Sequence, residues 1–184
     1  MNRREVIRLV SLATGAAISA PLMGSLLTGC KTEKETDLDY VLQFFNKNEF
    51  DHVRVIVDII LPKTDSPSAT DVGVHKIIDT MVGLVYRPDE KENYSKGISS
   101  LMQYIDGFLE LNSSKQVELL KQVSSPENIN NSAKAAFLEL KQQTIAYYLS
   151  TEEIATTYLN YLPVPGKYEP CITLEETGGK AWAI

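Results

Sequence analysis

Apolar residues in the middle of the chain recur at steps of three and four, and no run of useful length alternates apolar with polar. A strand has a side-chain period of two and a helix one of 3.6, so the pattern predicts helices packed on helices. Prolines and turn formers divide them. Asn48 to Asp51 is placed to cap a helix carrying Val53, Ile56, Val57 and Ile60 on one face, which Pro62 ends. Val74, Ile77, Ile78, Met81 and Val85 form the next stripe. Pro88 restarts a helix because proline suits the first position, and Asp89 and Glu90 suit its positive end. Tyr94, Ile98, Leu101, Ile105 and Phe108 are its core face. Ser113 and Gln116 read as a capping box ahead of Val117, Leu120 and Val123. Asn131 or Ser132 caps a helix through Ala136, Phe137, Leu140, Thr144 and Tyr148. The expected fold is all-α, an irregular bundle of about six short helices with an extended C-terminal tail.

The pattern changes after Tyr148. Ser150 to Glu153 reads as a second capping box, and Ile154, Tyr158 and Tyr161 then share one stripe of a short helix. Pro163 and Pro165 forbid its continuation, each lacking an N–H and restricting the residue before it. The tail beyond carries Cys171, Ile172, Leu174 and the only Trp, Trp182. Disordered tails seldom hold so much apolar surface, so this one is expected to dock on its own domain or on another protein. Tyr147, Tyr148, Tyr158, Tyr161 and Tyr168 cluster beside it. Tyrosine suits places where one end is apolar and the other wet, so some of these belong to the core and the rest suit an interface.

At the other end, Arg3 and Arg4 precede an apolar stretch that runs to Leu27 and is diluted by small residues. A charged start, an apolar middle and small residues before a cut describe an export signal, and paired arginines point to the twin-arginine route. Leu27-Thr28-Gly29-Cys30 resembles a lipoprotein box, with the Cys30 thiol as lipid acceptor. An uncleaved membrane anchor is the alternative, weakened by Pro21 and the small polar residues. The expected organisation is a signal peptide over 1–29, a polar tether and lead-in over 30–47, and a helical domain over 48–184. Loss of three arginines and one glutamate with the signal would take the formal charge from −6 to −8. That acidity disfavours nucleic acid as a partner.

No catalytic residue, cofactor-binding motif or metal site emerges. There is no Gly-x-Gly-x-x-Gly, phosphate loop or Cys-x-x-Cys-His, so neither a nucleotide, a flavin nor a c-type haem is expected in this chain. His52 and His75 each lack a second ligand at metal spacing, and a helix-surface or interface placement is expected for both. Asp65 and Asp71 are better explained as turn and cap groups than as calcium ligands. Cys171 is expected as a buried, inert thiol, with an intermolecular disulfide as the alternative.

Two stretches carry a resemblance. Ile60-Leu61-Pro62-Lys63-Thr64-Asp65 through Val74, and Tyr147-Tyr148 through Leu159-Asn160-Tyr161-Leu162-Pro163-Val164-Pro165-Gly166-Lys167-Tyr168-Glu169 to Cys171, resemble the two signatures of the gluconate 2-dehydrogenase subunit 3 family. The chain departs from them at Ser68 and Ile154, where members often place Gly. The resemblance implies a non-catalytic small subunit of a membrane-bound, flavin-dependent dehydrogenase of the glucose–methanol–choline type, acting on a sugar, sugar acid or polyol. FAD would sit in the large subunit, and a third, cytochrome c subunit would carry haem. It also implies a transport role. A flavoenzyme loaded in the cytoplasm must cross the membrane folded, which the twin-arginine route allows, and the leader of the small subunit would carry both. The expected location is the periplasmic side of the envelope, lipid-anchored through Cys30. A stand-alone envelope lipoprotein that binds a ligand or envelope component is the rival reading.

Overall fold

The computed structural model describes residues 40–164, 166–167 and 171–183. The leader with Arg3 and Arg4, Cys30 and Tyr168 lie outside the described residues. Val41 to Ile184 forms one compact unit. Among the described residues it contains six α-helices and no strand. They are α1 (Lys47–Ile60), α2 (Val74–Thr80), α3 (Pro88–Tyr104), α4 (Ser113–Ser124), α5 (Asn131–Ser150) and α6 (Glu152–Thr157). The all-α bundle expected from the periodicity is the fold observed.

The predicted stripes are largely the core. Val53, Ile56 and Val57 of α1, Val74 and Ile78 of α2, and Tyr94, Ile98 and Leu101 of α3 are buried. So are Ile105 and Phe108 just beyond α3, Leu120 and Val123 of α4, and Phe137, Leu140, Thr144 and Tyr148 of α5. The most extensive pairing is α3 against α5. Gly97 permits it: a Cβ there would meet Ala136 Cβ at 3.2 Å. Val85 is the exception, exposed because Met81–Val85 winds as a π-turn that rotates the α2 stripe away from the core.

The helix starts differ from expectation. Asn46, not Asn48, caps α1: its side chain accepts from Glu49 N at 3.0 Å while Glu49 Oε2 accepts from Asn46 N at 3.1 Å. Asn112 caps α4 in place of Ser113, because Gln116 turns inward to donate to Phe108 O at 3.1 Å and cannot close a box. Asn130 caps α5, accepting from Ala133 N. Thr151 is the N-cap residue of α6, with no side-chain bond to the helix start. Ser150 ends α5 instead, its hydroxyl donating to Tyr147 O. Helix α6 stops at Thr157, ahead of the prolines, which leaves Tyr161 outside it.

The lead-in joins the core earlier than a tether would. Phe45 is buried, Phe44 packs edge-on against Tyr94 with ring centroids 5.8 Å apart, and Tyr86 meets Tyr94 at 5.9 Å. Asp79 on α2 holds this segment in place. It is 0 % exposed and accepts from the backbone N–H of Gln43, Phe44 and Phe45 at 2.7, 3.0 and 2.8 Å. Buried backbone donors need partners, and one carboxylate supplies three.

Candidate functional site

The two stretches that carry the resemblance meet in space. Tyr148, near the end of α5, sends its hydroxyl to Pro67 O at 2.7 Å, with Ser66 Oγ 3.1 Å away. Tyr158, just past α6, donates to Asp65 O at 3.1 Å. Two phenols thus pin the loop between α1 and α2 to the C-terminal elements. The loop is also braced from within. Ser68 N donates to Asp71 Oδ2 at 3.1 Å and Asp71 N donates to Ser68 Oγ at 3.2 Å. Asp58 accepts from both the N–H and the hydroxyl of Thr70, at 3.0 and 2.7 Å. The Ser68 N–H, and then Lys63 at 3.1 Å, hold the Asp71 carboxyl below its usual range. Asp71 is therefore a turn group, as its setting in the sequence implied, while Asp65 contributes its carbonyl.

The departures from the family pattern fit this geometry. Ser68 is 6 % exposed and supplies a hydroxyl acceptor that glycine would lack. Ile154 is 1 % exposed and adds α6 to the core.

Beyond Asn160 the construction changes. The chain runs out through Tyr161 and Pro163, folds a turn at 174–179, and comes back so that Trp182 bridges Asn160 in parallel. The expected extended tail is thus partly folded. Asn160 N donates to Ala181 O at 2.8 Å, and Ala183 N donates to Asn160 O at 2.9 Å. The Asn160 side-chain amide donates to Thr177 O and Lys180 O at 2.8 and 2.9 Å. Lys180 Nζ adds a bond to Thr157 O at 3.1 Å. Within the turn, Thr173 N–H and hydroxyl donate to Glu176, which holds that carboxyl below its usual range.

The tail docks by polar bonds, not by burial. Leu174 is 78 % exposed, Trp182 50 % and Tyr161 54 %, with Leu162, Val164 and Ile172 also exposed. Of the tyrosines expected at an interface, Tyr148 is buried, Tyr147 and Tyr158 are half-buried against the core, and Tyr161 is open. Burial, with Tyr86 nearby, pushes the Tyr147 phenol up. Only Tyr161 and Trp182 of the described set offer a largely free face.

Other expectations need correction. His52 and His75 are core residues, not surface ones. His52 stacks on Phe108, and its Nδ1 lies 2.8 Å from Asn48 O, so that nitrogen carries the proton. His75 packs on Phe50 at 5.2 Å. Cys171 is a free, exposed thiol and not the buried one expected. Among the described residues, no group of acids, histidines and cysteines is arranged to hold a metal ion. The Asp79 carboxylate and the relay from Tyr94 Oη to Gln143 Oε1 and from Gln143 Nε2 to Tyr86 Oη, both 2.8 Å, were not anticipated. An acid between the core residues Ile78 and Val82 was the available signal for the first. Burial, then the Glu139 charge, drives the Tyr94 phenol far up, so it stays a neutral donor. The relay is structural.

No curated protein and no solved structure matches the chain. A family profile does: that of gluconate 2-dehydrogenase subunit 3, over residues 47–166. The match begins at the first residue of α1 and ends at 166, taking in the first resemblance stretch, the second as far as Gly166, and all six helices. With more than half of its length matched, the chain belongs to the gluconate 2-dehydrogenase subunit 3 family.

Proposed function

We propose that this chain is the non-catalytic small subunit of a flavin-dependent dehydrogenase complex of the glucose–methanol–choline type. It assists the export, membrane attachment and stability of a large FAD-binding subunit that oxidises a sugar, sugar acid or polyol. The observation that carries this reading is the family match, which is to one subunit of a dehydrogenase complex. The tail supports it. Six exposed apolar side chains on a hydrogen-bonded loop are more than an isolated surface needs, and a stable interface, which buries at least ~1,000 Å², would draw on them together with adjacent helix faces. Tyr161 and Trp182 are the direct contacts in this reading, and Tyr168 joins them on its place in the sequence alone. Tyr147, Tyr148 and Tyr158 pack on the core, and the last two hold the loop between α1 and α2.

Arg3 and Arg4 act before export and Cys30 after it, as the acylated anchor on the periplasmic side of the envelope. Electrons leave the flavin for a cytochrome c subunit or another membrane acceptor without crossing this chain. The test is purification of the tagged full chain from its native host, followed by a flavin spectrum and mass spectrometry of its N-terminus. A large flavoprotein should accompany it, and the N-terminus should be acylated Cys30. Truncation after Tyr161 should release the flavoprotein while circular dichroism shows the helices intact. Arg3→Lys with Arg4→Lys should strand both chains in the cytoplasm. A large subunit that still reaches the periplasm in that double variant would end the carrier role.

A further inference from the structure

A second surface carries its own chemistry. A groove of about 220 Å³ lies between α1, α4 and α5. Buried Leu120 and Phe137 lie at its base, and half-buried Ile59, Ile60 and Val117 complete its apolar lining. Lys121 and Lys141, both exposed, are the charged residues of the lining. Ser124 also lines it, but its hydroxyl is spent on Leu120 O and Lys121 O at 3.2 and 3.0 Å. The lining therefore holds two cations and no acid, on a chain whose formal charge is −6. Among the described residues, no carboxylate forms a salt bridge with either lysine.

We propose that this groove receives an apolar side chain flanked by carboxylates, presented by the catalytic subunit of the complex. The inference rests on the subunit reading and adds a contact separate from the tail. A concave apolar floor desolvates one anchor side chain, the usual anatomy of an energetic hot spot. Lysine stems extend the apolar wall while their ammonium groups meet the flanking acids, which sets orientation and speeds encounter. The volume suits a leucine or phenylalanine and is too small for a whole helix. A bilayer is the wrong shape, since it covers projecting apolar groups and not a recess.

The experiment uses the tagged full chain in its native host, as wild type, as Lys121→Glu/Lys141→Glu, and as Lys121→Arg/Lys141→Arg. FAD absorbance per small subunit is read after washes of rising ionic strength. The glutamate pair should retain less flavoprotein by roughly tenfold or more, the arginine pair should match wild type, and wild-type retention should fall with salt. Equal retention by the glutamate pair across the series overturns the groove and leaves the subunit reading standing. A wild-type chain that brings no flavoprotein ends both. Leu174 with Glu175 and Glu176 has the same chemistry within this chain. If the purified protein self-associates, and the glutamate pair abolishes it, the occupant is a second copy and this assignment is wrong.

Discussion

The loop from Leu61 to Gly73 and the tail from Tyr161 to Ala183 are both irregular and both rich in turn formers, yet they are finished to different degrees. The loop closes on itself. Ser68 and Ala69 are buried, Asp58 and Asp71 take backbone donors, and two tyrosines from distant parts of the chain seal it. The tail is tied back at Thr177, Lys180, Ala181 and Ala183 through Asn160 but leaves leucine, valine, isoleucine and tryptophan in water. Hydrogen bonds can set the course of a segment without supplying the apolar burial that makes it stable alone. The loop belongs to the folding unit. The tail has the construction of a surface that a partner completes.

If that contrast is sound, damage inside the loop-and-core region should cost global stability, while damage at the tail should cost only local order. The largest effect is expected at Asp79. Asp79→Ala leaves three N–H groups of the lead-in without their acceptor, and a hydrogen bond to a carboxylate contributes about 1.5–3 kcal/mol net of the water it replaces. A net loss of roughly 3 kcal/mol or more is expected in urea denaturation, with Phe44 and Phe45 released from the Tyr94 cluster. Wild-type stability in this variant would mean that the lead-in is not part of the core.

Tyr148→Phe comes next. It keeps the buried ring and removes the bond to Pro67 O, for an expected loss of about 1 kcal/mol. Amide exchange should rise at Ser68 and Ala69 and stay unchanged at 174–179. Exchange that rises equally in both places would break the comparison, since it would make loop and tail one cooperative unit.

Asn160→Ala is the converse. It removes two side-chain bonds to Thr177 O and Lys180 O while leaving the backbone bridge possible. Global stability should change by less than about 0.5 kcal/mol, because the tail adds little burial. Limited proteolysis between residues 161 and 181 should accelerate several-fold, with the six helices untouched.

These residues also show what the sequence could disclose. The stripes were legible because burial on a helix imposes a period, and Tyr94 to Phe108 and Phe137 to Tyr148 lie where that period puts them. The caps were not, since several eligible side chains stand side by side and tertiary contacts choose among them. Gln116 is drawn to Phe108 O, and the start of α4 shifts to Asn112. Asn46 with Glu49 was a readable box that the neighbouring Asn48 obscured. The acid at Asp79 between core residues marks a buried group, but its partners lie some 35 residues away and no local pattern names them. Likewise, the tyrosine cluster was visible as a composition anomaly. That Tyr148 and Tyr158 turn inward to the loop while Tyr161 turns out follows from where α6 ends, which the prolines alone do not determine.

The smallest effect is a pH dependence confined to the loop. The Asp71 carboxyl is held below its ordinary value by the Ser68 N–H and then by Lys63, so the native loop favours its ionised form. A depressed acid contributes stability at pH above its unfolded value of about 4 and loses it as pH falls through the lower native value. The group is exposed, so this should loosen the loop and leave the bundle folded. NMR of the Ser68 amide proton should therefore show a titration with its midpoint below pH ~4, absent in Asp71→Asn, while the Thr173 amide follows Glu176 independently. A midpoint at or above the ordinary aspartate value would mean that the Ser68–Asp71 pair does not brace the loop. Loop and tail would then differ in burial alone.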